Sequence, residues 1–115
     1  MDIHQEKSEI HTIEAYSDSE VRINQKHYNQ SLIVSADVIL PAWDVDKHHP
    51  LTELELEPLF ALHPEVILIG SVTPIQIDWA LRARLGLECM SLGAASRTFN
   101  ILLSESRRVV LGLIF

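Results

Sequence analysis

The chain has one cysteine, four glycines and only 9 Lys and Arg in 115 residues, and each scarcity excludes something. A lone thiol, Cys89, cannot make an intramolecular disulfide, so packing must hold the fold and a reducing compartment suits it. No apolar run reaches the roughly 18 to 20 residues that a helix needs to cross a bilayer. The opening stretch MDIHQEKSEIHTIEAYSD lacks the basic start and apolar run of a secretory signal, and it is too acidic for an organelle transit peptide. The expectation is a cytoplasmic protein without a membrane span. Also missing are a GxSxG elbow, an HExxH or Cys-pair metal motif, and the Lys and spacing that would turn GSVT into a phosphate loop. Asp44, Asp46, His48 and His49 cluster in AWDVDKHHP, but adjacent histidines in a loop seldom aim at one ion, so neither a metal nor a cofactor is expected.

Basic charge is scarce and unevenly placed. The formal net charge is -7, which argues against a general nucleic-acid binder. Met1 to Leu81 carries 14 acids against 4 Lys and Arg, whereas Arg82 to Phe115 carries 5 Arg against 2 Glu, and all 6 His precede Pro64. Solvated faces account for this asymmetry, and so does an anion-binding or acidic-partner surface near the C-terminal helix.

What is present is a core. With 47% hydrophobic residues, a chain of this length forms one domain. Residues 1–9 read as a polar arm and 10–115 as the domain. IHTIEAYS, VRINQKHY and SLIVS are short segments rich in β-branched and aromatic residues. Polar turns around Ser17-Asp18 and Asn24-Gln25 separate them, as in antiparallel strands.

From Asp37 the rhythm changes to strand, helix, strand. DVILPAW is a strand stopped by Pro41, and Thr52 with Glu55 forms a capping box for a helix running to about Leu62. VILIG is apolar throughout, as in a parallel strand covered on both faces. Thr73-Pro74-Ile75-Gln76 reads as a second capping box, with Trp79 in the core and Gly86 ending the helix. LECM is a short strand that places Cys89 as an inert, buried thiol. Ser91 caps a third helix from about Leu92 to Glu105, and VVLGLIF completes the sheet. The expected fold is α/β: a compact single domain whose mixed sheet carries helices on one face and an N-terminal antiparallel β layer on the other.

On the third helix Ala95, Phe99, Leu102 and Leu103 form an apolar stripe, and Arg97, Asn100, Ser104 and Arg107 a polar one. A polar stripe is ordinarily a solvated face. Asn is a poor helix-interior residue, however, so Asn100 is expected to bond something specific.

The block AASRTFNILLSESRRVVLGLI resembles the C-terminal signature of the MTH-type domain of unknown function. That family includes mitochondrial complex I assembly factor three and the adipogenesis-associated MTH-type domain protein. SLIVSADVILPAW, PEVILIGS and LGLECM agree with it, and the likeness extends over roughly Glu14 to Phe115. The resemblance implies a compact α/β domain and a non-catalytic binding or assembly module with an unidentified protein partner. A homodimer is compatible with it. Two departures stand out: Val72 and Ser106 occupy positions where family members often have Gly.

An alternative reading is a small-molecule binding protein or enzyme. Ligands of open α/β sheets bind beyond the carboxyl ends of the parallel strands, where helix N-termini attract anions. The candidate ligand-binding residues there are Trp43, Gly70, Ser71, Thr73, Ser91, Gly93, Arg97 and Asn100, with Arg97 as the fork for a small anionic ligand. Against this, Thr73 and Ser91 serve equally as caps, Gly70 and Gly93 as turn residues, and Arg97 as a partner of Glu105 or Glu88.

Overall fold

In a computed structural model describing residues 10–115, eleven elements follow in the order β1 (Ile13–Tyr16), β2 (Val21–Ile23), β3 (Lys26–Tyr28), β4 (Leu32–Val34), β5 (Ile39–Leu40), α1 (Glu53–Phe60), β6 (Val66–Ser71), α2 (Trp79–Leu85), β7 (Leu87–Ser91), α3 (Leu92–Ser104) and β8 (Val109–Ile114). The expected arm, 1–9, lies outside the described residues. The first three strands form an antiparallel sheet of order β1-β2-β3, and the rest a mixed sheet of order β5-β4-β8-β6-β7. The α/β reading, with a mixed sheet, three helices and an antiparallel layer, holds.

Local chemistry explains the turns and caps. Asn24 and Gln25 join β2 to β3 at φ 47° and 74°, the left-handed pair that a two-residue hairpin demands. The Gln25 amide is held there by Glu14 Oε1 at 2.9 Å. At α1 the capping box forms as expected: the Glu55 amide donates to Thr52 Oγ1 at 3.2 Å, and Glu55 Oε1 accepts from the Thr52 amide at 2.9 Å.

The expected second capping box does not form. Pro74 to Ile77 is not helical and half-buries Ile75 and Ile77 against the core, with Ile77 bridging to Leu51. The Leu51 amide bonds the Gln76 carbonyl at 2.8 Å. The helix starts only at Asp78, whose carboxylate accepts from the Ala80 and Leu81 amides. Burial of two isoleucines competes with the roughly 1 kcal/mol that an earlier cap would supply, and the Asp78 cap recovers that loss one turn later. The delayed start also turns Trp79 outward to 79% exposure, contrary to its expected place in the core. Gly86 ends the helix in the left-handed region, as expected.

The distribution of helices over the faces also differs from expectation. β6 is parallel to both of its neighbours, and β4 is antiparallel to both of its own, so β5, β6, β7 and β8 all run one way. Along the sheet the chain moves from β5 to β6 to β7, then turns back to β8. A right-handed crossover puts its helix on one face when moving one way and on the other when moving back. α1 and α2 therefore share a face: Leu56, Leu59, Leu81 and Leu85 pack with Ile67, Ile69 and Val110. α3 joins the antiparallel layer on the opposite face, where Phe99 and Ala95 meet Ile13, Val21, Leu68 and Leu111.

Candidate functional site

The reversal of strand order creates a crevice, because β6 leads to α2 on one face whereas its neighbour β7 leads to α3 on the other. Ser71 and Ser91 lie side by side there as the last pair of the β6–β7 ladder. A cleft of about 360 Å³ opens beyond them, lined also by Val72, Pro74, Ile75, Arg82, Cys89 and Met90.

The eight expected site residues divide between this cleft and the packing around it. Ser71, 7% exposed, and Ser91 line the cleft. Ser91 also caps α3, accepting from the Ala94 amide at 3.2 Å. Thr73 is exposed on the loop between them and caps nothing. Trp43 is buried under β8: its Nε1 donates to the Glu55 carbonyl at 2.8 Å, and its ring lies where a Cβ on Gly112 would stand.

Gly70 lets α3 approach the sheet, since an added Cβ would sit 2.5 Å from Ala95 Cβ. Gly93 is covered by the Tyr16 ring, whose oxygen would stand 2.8 Å from such a Cβ. Arg97 Nη1 donates to that same Tyr16 oxygen at 2.6 Å and meets neither Glu88 nor Glu105. Asn100 donates to the Ile13 carbonyl and accepts from the Ile13 amide, each at 2.9 Å. It thus bonds something specific, and the partner is the backbone of β1.

The polar stripe of α3 is therefore, at Arg97 and Asn100, a seam to the β layer. Tyr16 and Arg82 escaped the sequence reading. Arg82 carried no local signal, since the outward turn of Trp79 one helical turn before it appears only in the structure. Tyr16 lies 81 positions from Arg97, and no local pattern joins them.

Electrostatics favour the cleft over its competitors. Arg82 is half-buried, touches the Leu87 carbonyl at 3.4 Å, and has no carboxylate partner among the described residues. Burial pushes the Cys89 thiol up, Arg82 draws it down and Glu88 raises it, with a net rise that keeps it protonated. A larger cleft, of about 500 Å³, lies at the opposite, amino ends of the strands. Its Arg107 is paired with Glu65 at 3.2 Å, and its Arg108 lies near the same carboxylate and helps to hold the Glu65 pKa down, so both cations have a carboxylate at hand.

In the Asp46–His49 loop, His49 Nε2 lies 3.7 Å from Asp46 and 3.9 Å from Glu55. Its hydrogen bond with the Pro50 carbonyl raises its pKa most, desolvation opposes this, and the Glu55 and Asp46 carboxylates add smaller upward pulls. Glu55 is occupied by the Thr52 and Asp46 amides, and no metal-holding group of His, Cys, Asp and Glu exists among the described residues.

A family model described as protein of unknown function (DUF498/DUF598) matches residues 13–114, from the first residue of β1 to the last of β8. The chain belongs to the DUF498/DUF598 family. It is 31% identical over 94 residues to a "13 kDa major membrane protein" of Francisella tularensis, covering 76% of each chain. It also matches the solution structure of XCC1710 from Xanthomonas campestris, with 30% identity, a TM-score of 0.77, and 99% of this chain and 92% of that one covered. A Bordetella pertussis protein described as a Mth938-like domain shares the fold, at 24% identity and a TM-score of 0.65 over 99% of this chain and 92% of that one. The MTH-type likeness is thereby established. Among the described residues no helix is long and apolar enough to cross a membrane.

Within this DUF498/DUF598 chain the two departures from glycine behave differently. Val72 keeps an ordinary backbone and is 37% exposed at the mouth of the cleft, so its side chain narrows the entrance without strain. Ser106 has φ 61° just after α3. There the Ser106 amide bonds the Leu103 carbonyl at 2.9 Å and the Arg107 amide the Leu102 carbonyl at 3.0 Å, a Schellman closure built around a left-handed residue. A Cβ in that conformation costs roughly 1 to 2 kcal/mol. Ser106→Gly is therefore expected to stabilise the protein by about 1 kcal/mol, offset slightly by backbone entropy; an unchanged or lower urea midpoint contradicts the strain.

Proposed function

We propose that the protein is a non-catalytic binding module of the assembly-factor type, and that it docks a protein partner on α2 around Trp79. The observation that carries this reading is the exposure of that ring, 79%, on a helix with no fully buried residue. A large aromatic held outward on a lightly packed element is a poor use of a core former and a good anchor for a partner, since Trp and Arg dominate binding hot spots. Arg82 follows one turn later, and Val72 and Pro74 rim the adjoining cleft, so the anchor sits in a mixed apolar and cationic setting. A second copy of the chain is one partner that this surface would accept.

Trp79→Ala is expected to leave stability within about 0.5 kcal/mol, as at other exposed sites, while abolishing partner binding. Native mass spectrometry of untagged protein purified gently from its own cells checks this. A protein or second copy that co-migrates with wild type and is lost from Trp79→Ala supports the reading; bare monomer in both cases overturns it. A role in respiratory complex I assembly comes from the resemblance alone. Loss of complex I activity in cells lacking the chain, restored by wild type but not by Trp79→Ala, tests it. The reading includes a cytoplasmic location, which recovery of the protein in the membrane fraction would overturn.

A further inference from the structure

We infer that the crevice between the ends of β6 and β7 is a binding site for a small organic anion with a carboxylate head and a short apolar body. Two independent features converge on it. The first is the amino end of α3, a 13-residue helix that starts where β7 stops. Its first-turn amides have no intrahelical acceptors, and the helix dipole places positive potential at the wall of the cleft. Ser91 satisfies only the Ala94 amide.

The second is the Ser71 hydroxyl. Ser71 is 7% exposed and lines the cleft, yet its hydroxyl has no hydrogen-bond partner among the described residues. No side-chain oxygen or nitrogen among the described residues is both fully buried and unpartnered, so this hydroxyl keeps its small exposure at the crevice and is free to bond what enters there. Its neighbours on the strand, Ile67 and Ile69, fix the direction: alternate residues of β6 point to the α2 face, so Ser71 does as well.

Arg82 supplies charge from the α2 side. It is half-buried, lacks a carboxylate among the described residues, and holds one long contact to a carbonyl at 3.4 Å, leaving most of its five donors free for a planar acceptor. Val72, Pro74, Ile75 and the Cys89 thiol complete the lining on this face, whereas the Met90 side chain packs on the α3 face, where its sulfur accepts from Thr98 at 3.7 Å. The lining side chains offer no polar contact beyond the weak donor of the Cys89 thiol, so they suit a hydrocarbon body and would leave a polyol or a second phosphate unsatisfied. The volume of about 360 Å³ lies at the low end of ligand pockets and admits a small molecule, with Val72 limiting the mouth. In this arrangement Arg82 takes the place the sequence assigned to Arg97, which the Tyr16 hydroxyl occupies on the far side of the sheet.

Amide chemical shifts of the full chain, followed during titration with butyrate, n-butanol and inorganic phosphate, test the proposal. Butyrate should give saturable shifts confined to Ser71, Val72 and the Ser91 to Gly93 segment, with butanol and phosphate each at least tenfold weaker. Arg82→Gln should weaken butyrate tenfold or more. Ser71→Ala, which removes only a hydroxyl and keeps the fold, should weaken it several-fold. Trp79→Ala should leave it unchanged, which separates this site from the protein-docking surface. Absence of saturation, equal response to butanol, or wild-type affinity in either Ser71→Ala or a folded Arg82→Gln overturns the proposal.

Discussion

Asn100→Ala should lower the unfolding free energy by about 2 to 4 kcal/mol, because one side chain satisfies both backbone groups of Ile13 and its loss strands a donor and an acceptor beside a buried residue. β1 is the edge strand of its sheet, and α3 covers that edge through Asn100. Asn100→Asp keeps the acceptor for the Ile13 amide but faces the Ile13 carbonyl with a second oxygen, so it should recover less than half of the loss. Urea denaturation gives the magnitudes, and hydrogen exchange at Ile13 gives the location. A shift under 0.5 kcal/mol for Asn100→Ala, or an unchanged Ile13 exchange rate, would show that β1 is held by its apolar contacts alone.

Gly70→Ala should cost about 2 kcal/mol, within the usual range for overpacking. The added methyl would stand 2.5 Å from Ala95 Cβ, 3.1 Å from Leu113 Cδ2 and 3.3 Å from Leu92 Cα, so α3 must lift from the sheet. Ala95→Gly should cost about 1 kcal/mol through helix propensity. The double variant provides the decisive comparison. If the collision with Ala95 is the cause, the pair should lose clearly less than the two single losses together. Additivity would place the strain elsewhere, in the contact with Leu113 or Leu92.

How much of this was legible depended on the range of the cause. The Thr52 capping box, the Gly86 helix end, the Asn24-Gln25 turn and the Ser91 cap are decided within a few residues, and the sequence displayed them. Thr73 misled because a local cap competed with burial of Ile75 and Ile77, which depends on Leu51 arriving from elsewhere in the chain. The faces of the helices were misassigned for a related reason. Strand succession alone does not tell that β8 inserts between β4 and β6, and it is this insertion that sends α3 to the opposite face.

The candidate site followed the same division. Its place at the carboxyl ends of the parallel strands, and its serines, came from general rules about open sheets. Its cation did not. Arg97 and Arg82 are each one residue of a helix, and only the three-dimensional arrangement shows Tyr16 holding the first and the cleft receiving the second.

The position of β8 carries a consequence for biosynthesis. Its six residues are translated after every other strand of the five-stranded sheet, yet they form its middle, bonded to β4 on one side and β6 on the other. Without β8 the sheet has no link between β5-β4 and β6-β7, and the apolar edges of β4 and β6 that β8 covers in the fold are left unpaired. Such edges invite pairing with other chains. The domain should thus be most exposed to misassembly, and most dependent on chaperones, in the interval before β8 leaves the ribosome.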